Sequence, residues 1–133
     1  MLYDFGNSTE LVKLLRVVIA GDVPLLKSLV RMAIEEAGYT VIGEPDNVED
    51  LLAICSSHKI GIILLDLSIS DSERMRVIEK ILDIDSYISI IAISDFVDDD
   101  NDQVLFAGAR GFLQKPFSMF DLIDMMKKVE PLL

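Results

Sequence analysis

Four short runs in this chain each end in a side chain able to do chemistry. Val17–Ala20 leads to Gly21-Asp22, and Ile62–Leu65 leads to Asp66. Ile88–Ile93 leads to Ser94-Asp95, and Gly111–Gln114 leads to Lys115-Pro116. A carboxylate at the tip of an apolar strand is a candidate nucleophile towards a phosphoryl group, which makes Asp66 the first residue of interest. A second carboxylate, Asp22, can hold Mg²⁺, which takes oxygen ligands and keeps several waters. Ser94 can donate a hydrogen bond to a phosphoryl oxygen, and Lys115 is a compact cation suited to its charge. Pro116 fixes the turn after Lys115, with a trans or a cis bond. Singly, each residue is commonplace. A strand-end Asp more often caps the next helix, and a Lys-Pro pair alone marks a turn. Only the placement of all four at strand ends together points to one common pocket.

The elements that must position them alternate along the chain. Short β-branched runs occupy Arg16–Ala20, Tyr39–Glu44, Ile60–Leu65, Ile88–Ile93 and Gly111–Gln114. The first, third and fourth are almost continuously apolar, as parallel strands covered on both faces are. The fifth is short and polar-flanked, as an edge strand is. Leu25, Leu26, Leu29, Val30, Ala33, Ile34 and Ala37 recur at helical spacing between Pro24 and Gly38. Asp46 or Asn47 caps a second helix bearing Leu51, Leu52 and Cys55. Met75, Ile78, Ile81 and Leu82 mark a third. Val104, Leu105 and Gly108 mark a weaker fourth, and Ser118 starts a fifth with Leu122, Met125, Met126 and Val129 inward.

This (βα)₅ pattern predicts an α/β fold, a doubly wound five-stranded parallel sheet of strand order 2-1-3-4-5, flavodoxin-like. Its crevice lies at the carboxyl ends of strands 1 and 3, where the order reverses. The domain is expected over residues 16–130, after an N-terminal extension at 1–15. Ser8 or Thr9 can cap a short helix in that extension, holding Leu11, Leu14 and Leu15.

Composition narrows the function. The chain has 133 residues, 51% of them hydrophobic, so a disordered chain is excluded and one core is expected. Twelve basic against 23 acidic residues give a net charge of −11, which argues against direct nucleic-acid binding and against anionic lipid. One cysteine, Cys55, excludes an internal disulfide and suits a reducing compartment. The apolar runs are too short to span a membrane, and no secretory signal opens the chain. The expected location is cytoplasmic. The run Asp98-Asp99-Asp100-Asn101-Asp102 lacks the full Ca²⁺-loop pattern and reads as a solvated first helical turn. His58 reads as a turn residue and Cys55 as a small core residue. No glycine-rich phosphate loop is present.

The chain resembles the receiver (response regulatory) domain of two-component signalling proteins. The resemblance runs from Arg16 to about Val129. It rests on Gly21-Asp22, Asp66, Ser94, Lys115-Pro116-Phe117 and Ala107-Gly108-Ala109-Arg110-Gly111-Phe112-Leu113. It implies that Asp66 accepts a phosphoryl group from a kinase phosphohistidine. It implies that Asp22, Asp66 and the backbone carbonyl of Ser68 ligate Mg²⁺, and that Ser94 and Lys115 contact the phosphoryl group. Phe112 takes the aromatic switch position. The implied partners are a histidine kinase or phosphotransfer protein, a downstream protein target and a second copy of the chain. The implied output face combines the fourth helix, fifth strand and fifth helix, with Arg110, Lys127 and Lys128 on or beside it. Phe96 stands two residues beyond Ser94, where its size would slow phosphate loss.

The sequence also departs from the family pattern. The first acid of the pair is Gly21, and the acid often following the pair is Val23. Ile69-Ser70 replaces the usual Met-Pro, Arg74 replaces a glycine, and Asp95 stands where a small residue is common. Two alternatives therefore stand beside a phosphorylated receiver. One is a degenerate pseudo-receiver working as a phosphorylation-independent interaction module. The other is a flavodoxin-like small-molecule binder, against which Lys115 and the acids argue.

Overall fold

A computed structural model describes residues 15–70, 74–95 and 101–130. Its elements are β1 (Arg16–Ala20), α1 (Pro24–Glu36), β2 (Thr40–Gly43), α2 (Val48–Ser57), β3 (Ile62–Asp66), a 3₁₀ turn (Leu67–Ser70), α3 (Arg74–Ile84), β4 (Ser89–Asp95), α4 (Asn101–Ala107), β5 (Gly111–Lys115) and α5 (Met119–Val129). The five strands form one sheet in the order β2-β1-β3-β4-β5, all pairs parallel, as expected. Of the expected N-terminal helix only Leu15 is described, in a turn, and of the acidic run Asp98–Asp102 only Asn101 and Asp102 are described, opening α4; the rest lies outside the described residues.

Alternate residues of each strand feed two separate cores. Val17, Ile19, Ile62, Leu64, Ile91 and Ile93 pack against Val30 and Ile34 of α1 and Leu122 and Met126 of α5. Val18, Ala20, Ile63, Leu65, Ile90 and Ala92 pack against Leu51 and Cys55 of α2, Ile78 and Ile81 of α3 and Val104 of α4. Both faces are dry, so these strands need no polar alternation.

Local signals set most boundaries. Asn47 accepts the Asp50 N–H at 2.8 Å and Ser118 accepts that of Asp121 at 2.9 Å, capping α2 and α5. Pro24 opens α1 without a side-chain cap. Several details differ from expectation, among them β2, which spans only Thr40–Gly43, and β5, which runs on through Lys115. β3 and β4 start at Ile62 and Ser89 and run on through Asp66 and Asp95. Backbone pairing does not depend on the side chain, so Asp66 itself closes the β3–β4 ladder opposite Ile93. Leu25 and Leu29 are 70% and 47% exposed, because Leu26, Val30 and Ile34 alone fill the stripe facing the sheet. Gly108 follows α4 rather than belonging to it, with φ +120°.

Gly38 and Gly108 both adopt positive φ, but their surroundings differ. A Cβ at Gly38 would meet nothing within 4 Å, whereas one at Gly108 would lie 2.4 Å from Cδ1 of Leu82. Gly38→Ala is expected to cost about 1–2 kcal/mol from backbone strain alone. Gly108→Ala should cost more, by the displacement of Leu82. Urea unfolding of both variants checks this, and equal losses would remove the Leu82 contact from the account.

Candidate phosphoryl-acceptor site

The carboxyl ends of β1, β3, β4 and β5 meet at one edge of the sheet, and the sequence-predicted residues stand there. Asp66, the last residue of β3, is 5% exposed. Its Oδ2 lies 2.6 Å from the Lys115 Nζ, which reaches over from the end of β5. Its Oδ1 accepts the backbone N–H of Ser68 at 3.0 Å. Both carboxylate oxygens thus have a donor, one of them charged, and charge-assisted bonds are the strong ones.

Ser68 is also the link to Asp22. Its hydroxyl donates to Asp22 Oδ1 at 3.2 Å, while Asp22 itself is exposed just beyond β1. One residue of the 3₁₀ turn therefore joins both carboxylates, through its backbone to Asp66 and its side chain to Asp22. The family resemblance implies a role only for the Ser68 carbonyl, and nothing in the sequence signals that the loop coils into this turn. Ser94, buried in β4, donates from Oγ to the Asp95 carbonyl at 3.4 Å. It lies in register with Gln114, one residue short of Lys115.

The other residues singled out fall into place around this edge. Phe117, next to the Lys115-Pro116 cis bond, lines a cavity of about 20 Å³ with Gly21, Lys27, Asp66 and Ile93. Phe112 is half-buried against the core formed with α2, α3 and α4. Phe96 lies outside the described residues. Cys55 is buried, and that burial pushes its thiol up to about 11, so it is an inert core residue. His58 caps the far end of α2, its Nδ1 2.9 Å from the Ser57 hydroxyl.

Asp22 and Asp66, joined through the Ser68 N–H and hydroxyl, offer only oxygen donors. That chemistry fits a hard cation such as Mg²⁺, which fills its remaining positions with water. It is a sparse set. Among the described residues no three of His, Cys, Asp and Glu are grouped to hold a metal. The backbone at Gly21 leaves room for a further side chain. A Cβ there would lie 3.6 Å from the Asp66 Cβ, an ordinary contact.

A family model of the response regulator receiver domain matches residues 17–127. The chemotaxis protein CheY of Thermotoga maritima is 27% identical over 115 residues, covering 86% of this chain and 96% of that protein. The transcriptional regulatory protein TrcR of Mycobacterium tuberculosis is 28% identical over 117 residues, covering 85% of this chain and 44% of TrcR. The chain thus spans nearly all of the first relative and less than half of the second. Its fold is shared by the receiver domain of the Pseudomonas aeruginosa sensor histidine kinase PA1611, solved with magnesium in its active-site cleft. The two agree with a TM-score of 0.75 at 18% identity, over 86% of this chain and 95% of that one.

Gly21→Asp tests the sparse site. A third carboxylate should tighten Mg²⁺ binding several-fold by Coulomb attraction, and its repulsion from the other two should lower the metal-free melting temperature. Calorimetric titration and thermal denaturation measure the two effects. Equal or weaker Mg²⁺ affinity in the variant would place residue 21 away from the metal.

Proposed function

The chain belongs to the response regulator receiver domain family, and from that premise we propose that it is a phosphoryl-accepting signalling domain with Asp66 as acceptor. The observation that carries this reading is the Asp66–Lys115 pair at 2.6 Å. A strand-end carboxylate held against a lysine is set to attack phosphorus and to have the added charge met at once. In the reaction, an Asp66 oxygen bonds to the phosphorus of a kinase or phosphotransfer-protein phosphohistidine. The P–N bond breaks, and the imidazole leaves neutral after taking up a proton. The product is an acyl phosphate on Asp66. Asp22, Asp66 and the Ser68 carbonyl would hold Mg²⁺, which when bound would supply neutralisation of the phosphoryl charge. Lys115 turns from the carboxylate towards the phosphoryl oxygens, and Ser94 donates to one of them.

The domain performs no turnover chemistry of its own in this reading, and its output is a protein contact. The supporting surface is that of α4, β5 and α5, where Phe106 of α4 and Phe120 of α5 are 96% and 81% exposed and Lys127 and Lys128 stand in the last turn of α5. A downstream protein or a second copy of the chain would dock there. None of the described helices is long and apolar enough to cross a membrane, in keeping with a cytoplasmic setting. The acidic charge gives no support for direct DNA contact.

Gly21 favours a second reading, a pseudo-receiver that signals by contact without phosphorylation. Acetyl phosphate with saturating Mg²⁺ separates the two. The first reading expects one added phosphoryl group by intact mass and none in Asp66→Asn. Labelling that persists in the variant would move the acceptor elsewhere. Absence of labelling in the parent would favour the pseudo-receiver.

A further inference from the structure

Lys27 lies in the first turns of α1, and its stem runs alongside Gly21. A Cβ on residue 21 would meet its Cγ at 3.8 Å and its Cδ at 3.9 Å, and the Asp66 Cβ at 3.6 Å. The ammonium is not left loose. Nζ donates to the Glu44 carbonyl at 3.2 Å. One turn further along α1, Arg31 pairs with the Glu44 carboxylate. The next carbonyl, of Pro45, accepts the Gly21 N–H at 3.0 Å. The loop after β2 is thus strapped beside the acidic edge by two cations of α1 and by Gly21 itself. Lys27 and Asp66 also line the same small cavity.

A surface lysine normally leaves its ammonium in bulk water, where its field is screened. This one is anchored on the flank that Gly21 leaves open. We propose that Lys27 is a fixed cation of the acidic site, paired in function with Gly21, which offsets Asp22 and Asp66 in the metal-free protein and opposes the divalent cation. The proposal rests on reading Asp22 and Asp66 as the metal ligands. It makes the glycine and the lysine one arrangement. The site gives up a carboxylate, keeps a positive charge, and is stable without metal but binds it weakly. Lys27 acts here as a positioning charge and does not touch the reacting atoms.

Lys27→Met keeps most of the stem and removes the charge. At low ionic strength its Mg²⁺ midpoint should be roughly three- to tenfold lower than the parent's, the gain shrinking as salt rises. Gly21→Asp should tighten Mg²⁺ more in the Lys27→Met background than alone, because in the parent the lysine neutralises the new carboxylate. In metal-free protein, Gly21→Asp should lower the melting temperature more in that background. A purely structural strap predicts lower stability for Lys27→Met but no salt-dependent change in Mg²⁺ affinity. A midpoint within twofold of the parent, or additive effects of the two substitutions on both midpoint and melting, would overturn the proposal. If no protein in the set binds Mg²⁺, the ligand reading fails and the metal-free melting cycle alone decides: coupling supports Lys27, additivity overturns it.

Discussion

The ion pair between Asp66 and Lys115 is the constraint on which the rest of the structure depends. Its partners stand on β3 and β5, two strands apart, so the lysine must span about 10 Å of sheet to reach the carboxylate. It can do so only if β4 lies between them in the observed register, Asp66 opposite Ile93 and Asp95 opposite Lys115. The Asp66 side chain is almost wholly covered and that of Lys115 mostly so. Burying such a pair is offset only when geometry and extra hydrogen bonds are good, and losing one partner strands a buried charge. The Ser68 N–H supplies one of those extra bonds. Two dry cores hold the strands in place, so the charges sit on a rigid edge rather than on mobile loops.

Most of this scaffold was legible in the residues. Continuous apolar runs marked the doubly covered strands, and Asn47, Ser118, Pro24 and Gly38 marked helix ends by local stereochemistry. The strand order and the site edge then followed from topology. The strand limits were less legible, because ladder pairing is indifferent to side chains and carried β3 and β4 on through Asp66 and Asp95. The apolar arc of α1 was read too wide. Seven apolar positions at helical spacing do not say which of them the sheet has room to cover, and Leu25 and Leu29 stay outside.

The site was legible as a set of residues but not as a network. Asp22, Asp66, Ser94 and Lys115 stand out by their strand-end positions, and Ser68 enters only through the family resemblance. The double role of Ser68 was hidden, because it depends on a 3₁₀ turn for which the residues Leu67–Ser70 carry no distinctive signal. Lys27 was missed as well. Its available clue was its place in the opening turns of a helix that starts at the site, where side chains lie against the strand end. Gly21 was recognised as a missing acid, and its neighbourhood turns that absence into an arrangement of charge. The backbone passes close to Pro45, the flank holds a lysine stem, and the carboxylate count stays at two.

The central claim is that the Asp66–Lys115 edge is built to receive a phosphoryl group. Beryllofluoride, which mimics that group on a carboxylate, tests it most directly by fluorine NMR of the intact chain. The account predicts a bound fluoride signal that appears only with Mg²⁺, saturates at one complex per chain, and is lost in Asp66→Asn and weakened in Lys115→Met. No bound signal at saturating Mg²⁺, or a signal indifferent to both substitutions, would contradict it.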